Sequence, residues 1–371
     1  MIRVFEPRIT LSDTFSVLKT LSKNNISGTS PTVESFEKNL AVKFNREHAI
    51  AVSNGSTALD LAFQSLELKK GDEVIVPSFT IISCLSAIIR TGATPIFCEV
   101  DEKSWNLKLD NIVSSYTNKT KAVLMVHLYG LAAEAERIEE FCNEKNIFLI
   151  EDSAEAHGQK VNNRPCGSFG DISTMSFYAN KHITTGEGGA VLTNSSIFSE
   201  KIKSMRNLGF SNSKRFVHED LYWNYRLGGL QAALGNSQIK NLDKTIKLKI
   251  HQGNIYNELL KSENQYLDIQ LTSWNNIENH YWVYGILLKK SNIRDSVMNS
   301  LYEKGIETRP FFWPLHLQPV LSPQFSVERD SLPISEKLGK DGLYIPIGAH
   351  INKKHQKLVV KELITSIKQY D

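Results

Sequence analysis

No run in this sequence approaches the ~20 consecutive apolar residues that a bilayer-spanning helix needs, so a membrane-spanning chain is excluded. Cysteine is scarce: Cys84, Cys98, Cys142 and Cys166 are four in 371 residues and lie far apart. No pair has CxxC spacing and there is no dense cysteine framework, which argues against a metal site, an iron–sulfur centre or a disulfide scaffold. The four are expected to be buried, reduced thiols. Charge of one sign is also lacking. With 43 Lys and Arg against 40 Asp and Glu, the excess of +3 is no footprint for nucleic acid or an anionic membrane. A local basic pocket for a phosphorylated ligand stays open. The opening MIRVFEPRIT has no apolar core of the secretory kind, so a cytoplasmic protein is expected. Internal repeats and low-complexity tracts are absent.

What is present is an ordinary globular mixture, 41% hydrophobic and 22% charged, in a chain long enough for two domains. From about Ala49 to Asn194, short apolar runs alternate with helical patterns. AIAVSN, DEVIVPS, PIFCEV, KAVLMVHLYG and IFLIEDSAE read as strands. Ser56 to Leu68, Ile81 to Thr91 and Ala133 to Lys145 read as helices. The strands are near-continuous Val/Ile/Leu runs without polar alternation, the pattern of a parallel sheet covered on both faces. An α/β fold follows, with a three-layer large domain over residues 1–245. A smaller α+β domain over 246–371 contains YWVYGILLKK as a strand, Arg294 to Lys304 as a helix and KKHQKLVVKELITSIKQY as a closing amphipathic helix. Between the two regions, Ile197 to Arg206 and Leu227 through Leu260 read as helical. DISTMSFYANKHITTGEGGAVLTN reads as two β-rich pieces around a Gly-rich turn that presents Lys181.

Lys181 would be approachable yet held on rigid elements, which suits an amine that must attack a carbonyl carbon. Alone, it reads equally as a solvated surface lysine. Asp152 closes the buried strand IFLIED, where α/β folds bind their ligands. It can pair with a protonated pyridine nitrogen, or simply cap a turn. Ser53-Asn54-Gly55-Ser56 joins a buried strand to a helix. The free amides of the helix start and the Ser56 hydroxyl can take a phosphate, or be a plain cap. Ser176 precedes Lys181 by five positions and can reach the same phosphate. Gly186, Gly188 and Gly189 around Glu187 are assigned backbone roles. The order of phosphate loop, aspartate after a strand, and lysine past a further strand matches the fold-type I enzymes that use pyridoxal 5'-phosphate (PLP).

Several motifs in fixed order resemble the DegT/StrS nucleotide-sugar aminotransferases across nearly the whole chain. They are SNGSTALDLAF, GDEVIVPSFT, GATPIFCEVD, VHLYG, IEDSAEAHG, GSFGDISTMSFYANKHITTGEGGAVLTN, NYRLGGLQAALGNSQI and GIETRPFFWPLHLQP. AEAHG, the NK-ITTGEGG turn and ETRPFFWPLH are most similar to the subgroup that moves an amino group from glutamate to GDP-4-keto-6-deoxymannose, forming the perosamine of surface polysaccharides such as O-antigen. The resemblance implies PLP as cofactor, bound covalently by Lys181, which then carries protons. Asp152 would hold the pyridine nitrogen and Glu155 would lie near the ring hydroxyl. Gly55, Ser56 and Ser176 would grip the phosphate. Asn224 would reach the phosphate of the neighbouring subunit in a homodimer, with Arg226 supporting its loop. Arg309 and His316 would face substrate or serve structure.

Two departures stand out. Ile81 occupies the place of the family's usual ring-stacking aromatic, so Phe79 is expected to compensate or the grip to weaken. NYRLGG replaces the subgroup's NYRMTN, which bears on the sugar. A UDP- or dTDP-linked ketosugar is the main alternative. A sugar dehydratase would carry histidine in place of Lys181, and a non-catalytic regulator would not need the lysine and aspartate.

Overall fold

The structure, a computed structural model, describes residues 1–210, 216–218, 220–321 and 331–370. Two N-terminal helices, α1 (Leu11–Ser22) and α2 (Pro31–Lys43), precede β1 (His48–Val52). Alternation then sets in: α3 (Gly55–Ser65), β2 (Glu73–Pro77), α4 (Ile82–Arg90), β3 (Thr94–Cys98), α5 (Leu109–Ser115), β4 (Thr120–Val126), α6 (Ala135–Lys145) and β5 (Phe148–Asp152). A short hairpin, β6 (Lys160–Val161) and β7 (Arg164–Pro165), leads to β8 (Ile172–Ser176) and β9 (Gly189–Thr193). Helices α7 (Ser196–Arg206) and α8 (Gly229–Leu260) follow. The remainder holds β10 (Leu267–Ile269), the hairpin β11 (Ser273–Trp274) and β12 (Ile277–Glu278), then β13 (Tyr284–Leu288) and α9 (Arg294–Glu303). It ends with β14 (Arg309–Pro310), α10 (Pro333–Asp341), β15 (Gly342–Ile345) and α11 (Lys353–Lys368).

The large sheet has seven strands in the order β1-β9-β8-β5-β4-β2-β3, and β9 alone runs against the rest. Its strands are apolar on both faces for a physical reason. Val74 and Val76 of β2 pack with α3, α4 and α7, while the alternate Ile75 packs with α5 and α6 on the opposite side. Beyond the β1–β9 edge, α2 and α8 complete that second layer through Phe36, Leu40, Ala232 and Leu242. This is the expected three-layer, mostly parallel architecture. The excursion anticipated around Lys181 is the β8–β9 pair, antiparallel with Ile172 opposite Thr193 and Ser176 opposite Gly189.

The second sheet, β10-β13-β15-β14, packs with α9, α11 and the end of α8 around Tyr256, Tyr284, Leu301 and Leu363. The boundary placed at 245 falls inside α8, which runs unbroken for 32 residues. One end of that helix lies under the large sheet and the other in the smaller core, so burial on both sides keeps it continuous. The N-terminal residues also join the smaller unit, with Ile2 bridged to Ile306 and the Val4 N–H donating to Glu307. Helices α1 and α2 lie ahead of the first strand, in a stretch to which the sequence analysis assigned no element. The four cysteines are buried free thiols. Among the described residues no helix is long and apolar enough to cross a membrane.

Candidate active site

Strands β1, β5 and β8 run the same way, so their carboxyl ends share one edge of the sheet, where open α/β sheets hold ligands. Gly55 follows β1, Asp152 ends β5 and Ser176 ends β8. Asn54 caps α3: its Oδ1 accepts the Thr57 N–H at 2.9 Å, and the Thr57 hydroxyl accepts the Asn54 N–H in return. The cap leaves the first amides of α3 facing outward. Gly55 is required there, because a Cβ would stand 2.7 Å from Cβ of Ser176. The backbone turn and the Ser176 side chain thus form one cradle. Ser56 Oγ lies 2.7 Å from Ser83 Oγ. Both border a cleft of about 250 Å³ lined also by Thr57, Asp60, Arg90 and Tyr225.

Lys181 lies in the β8–β9 connection and reaches back to the same edge. Its Nζ donates to Glu155 Oε1 at 3.5 Å and lies 3.8 Å from the ring centroid of Trp282. Burial lowers the lysine's proton affinity, opposed by the charges of Glu155 and Asp152. Glu155 is buried and its other oxygen accepts the Tyr129 N–H at 2.9 Å. Burial pushes its carboxyl up to about 7 against the pull of Lys181. Asp152 is buried too, and its proton affinity is raised by that burial. The Ala154 N–H at 3.0 Å and the charge of Lys181 favour the ionised form. Its second oxygen receives the Cys84 thiol at 3.8 Å. The structure therefore brings together Lys181, Asp152 and Glu155, and Gly55 with Ser56 and Ser176 along the same edge.

The other anticipated residues divide. Ile81 is 41% exposed at the start of α4, in the open. Phe79 does not share that exposure. It is fully buried among Tyr129, Phe311 and Phe312, with ring centroids 5.8 to 6.2 Å away. Asn224 is exposed, next to Tyr225 of the cleft, and touches neither Lys181 nor Asp152. Arg226 ties the segment down by donating to Asn207. Arg309 is exposed and donates to Glu307 at 2.6 Å. His316 turns inward: Nδ1 is 2.5 Å from Ser78 Oγ and Nε2 is 3.3 Å from Glu336. Both ring nitrogens are thus engaged within the protein and the ring is buried.

Trp282, Tyr129 and Cys84 escaped the sequence reading. Trp282 sits within an apolar strand pattern, and Tyr129 acts through its backbone N–H, so neither carries a local signal. Cys84 was legible only as a buried thiol.

The donor set fits PLP. A hydroxyl-lined cradle that no Cβ can fill faces the start of a helix. A buried carboxylate ends a strand, and a desolvated amine with few neighbours for its proton lies beside it. Fold and site together define a fold-type I, PLP-dependent aminotransferase.

The chain belongs to the DegT/DnrJ/EryC1/StrS aminotransferase family, whose model matches residues 9–364. It is 37% identical over 345 residues to GDP-perosamine synthase of Escherichia coli O157:H7, covering 93% of each chain. To GDP-perosamine synthase of Vibrio cholerae it is 36% identical, over 100% of this chain and 99% of the other. Among solved structures, the aminotransferase TlmJ of Streptoalloteichus hindustanus superposes with a TM-score of 0.93 at 26% identity, over 100% of both chains.

Proposed function

We propose that this protein transfers the amino group of glutamate to GDP-4-keto-6-deoxymannose, yielding GDP-perosamine and 2-oxoglutarate. It would act as a cytoplasmic homodimer that supplies an amino sugar for a surface polysaccharide such as O-antigen. The observation that carries the chemistry is the meeting of Lys181, Asp152 and Glu155 in one buried site. The sugar is argued from full-length similarity to the two proteins named GDP-perosamine synthase.

PLP, when bound, supplies an aldehyde that exchanges amines and a ring that draws electrons from the adjoining carbon. Lys181 would hold it through Nζ and, once released, take and return protons. Burial lowers its proton affinity, which eases that exchange. Asp152, at the end of β5 with the Ala154 N–H on one oxygen, would hold the ring nitrogen in its protonated form. Glu155 would stand near the ring hydroxyl, anchored by the Tyr129 N–H. The amides at the start of α3, with Gly55, Ser56 and Ser176, would take the phosphate. Ile81 would cover the ring by packing alone. Asn224 would complete the phosphate site of the neighbouring subunit, and Arg309 is free of burial to meet substrate. One site serves both glutamate and the ketosugar, so ping-pong kinetics follow.

The test is visible absorbance. Protein loaded with PLP should be yellow, bleach with glutamate, and recover with GDP-4-keto-6-deoxymannose. Recovery with a UDP- or dTDP-linked ketosugar instead would overturn the sugar. A chromophore indifferent to glutamate would overturn the donor.

A further inference from the structure

Trp282 stands just before β13, in the smaller unit, yet it makes three separate connections to the lysine site. Its ring lies 3.8 Å from Lys181 Nζ. Its indole N–H donates to the carbonyl of Asn180, the residue before Lys181, at 3.0 Å. It also stacks on Tyr129, centroids 5.9 Å apart and 28° between planes, and the Tyr129 N–H holds the Glu155 that pairs with Lys181. The tryptophan is itself built in. Lys249 of α8 donates to its carbonyl at 3.0 Å. Gly130 (φ +95°) lets the chain after β4 approach so closely that a Cβ would lie 2.5 Å from the Trp282 N.

We infer that Trp282 is a positioning residue for Lys181, holding the amine by its ring face and the backbone by its indole N–H, so that the lysine is set for proton transfer from the smaller unit. The inference rests on the reading of Lys181 as proton carrier. An aromatic face stabilises a cation above it, and more strongly where water is excluded. The other groups facing Lys181 are Asp152 and Glu155, which favour its charge, and His157 and His182, which burial keeps neutral, His157 down to about 3. Trp282 adds a neutral device for keeping a buried amine protonated.

The test measures Lys181 itself in the PLP-free protein, by the pH dependence of its acetylation read by mass spectrometry. Mono-, di- and trifluorotryptophan placed at 282 keep the shape of the ring and drain its face. The Lys181 titration should fall stepwise with fluorine number, by about one pH unit across the series. Trp282→Leu should fall at least as far and Trp282→Phe much less, each checked for folding by circular dichroism. A flat series overturns the inference even if the leucine variant fails to fold. Lys181→Ala separates the two ideas. If it keeps the yellow chromophore, the reading of Lys181 fails. If it loses the chromophore while the fluorinated series stays flat, only the role of Trp282 fails.

Discussion

At the scale of single residues, the site is governed by desolvation. Glu155 is denied water and receives one amide and one distant ammonium, too little to offset burial, so its carboxyl titrates near 7 instead of the ordinary 4.5. Between those values the folded protein binds more protons than the unfolded chain, and stability must fall as pH rises through the window. The PLP-free wild type, measured against Glu155→Gln by chemical denaturation, should lose relative stability from about pH 4.5 to about pH 7 and then level off. A pH-independent difference would show that Glu155 is not held protonated. His157 works in the opposite sense, since its depressed proton affinity costs stability only on the acid side.

At the scale of elements, the neighbour of Asp152 on β5 explains how the strand end is held. Glu151 points to the other face of the sheet, where it accepts the N–H groups of Gly167 and Phe169 and the Ser173 hydroxyl, at 2.7, 2.8 and 2.7 Å. His127 of the β4 end adds a fourth contact at 2.9 Å, and its Nδ1 accepts the Ala133 N–H at 3.1 Å. Cys166 brings a third ligand-type atom into the same cluster, but the glutamate and histidine atoms are already engaged. The charge of Arg46 lies nearby, its guanidinium donating to the carbonyls of Gly167 and Gly170. Glu151 therefore fastens β5, β4 and the 166–170 loop together, and with them the position of Asp152. Glu151→Ala should strand these donors and cost ~3–5 kcal/mol in denaturant unfolding. A loss below ~1 kcal/mol would mean that the loop finds other partners.

At the scale of the whole molecule, the segment that carries Asn224 is open to solvent. Asn224 is exposed, and the same segment presents Leu221 at 98% and Trp223 at 67% exposure, an apolar surface of the kind that partners cover. A two-fold dimer would bring two such segments to each other's phosphate cradles. Subunit complementation tests this. Lys181→Ala and Asn224→Ala protomers should each be inactive or severely impaired alone. Refolded together at equal amounts, they should regain about a quarter of wild-type activity, since half the dimers carry one intact site of two. No recovery would place Asn224 within its own subunit's site or outside any site.

Much was legible in the sequence because it is local. Uninterrupted Val/Ile runs declare strands buried on both faces, Asn54-Gly55 declares a capped helix start, and Asp152 and Ser176 mark strand ends that a parallel sheet must align. Lys181 was legible through its turn. Tertiary structure alone decided the rest. Whether Phe79 or Ile81 faces the cleft depends on which side of the chain the aromatic core claims. His316 is buried because Ser78 and Glu336, 238 and 20 residues away, converge on its two nitrogens. Trp282 meets Lys181 across 101 positions, a contact no periodicity encodes. Elements follow from neighbours along the chain, whereas desolvation and partnership follow from neighbours in space.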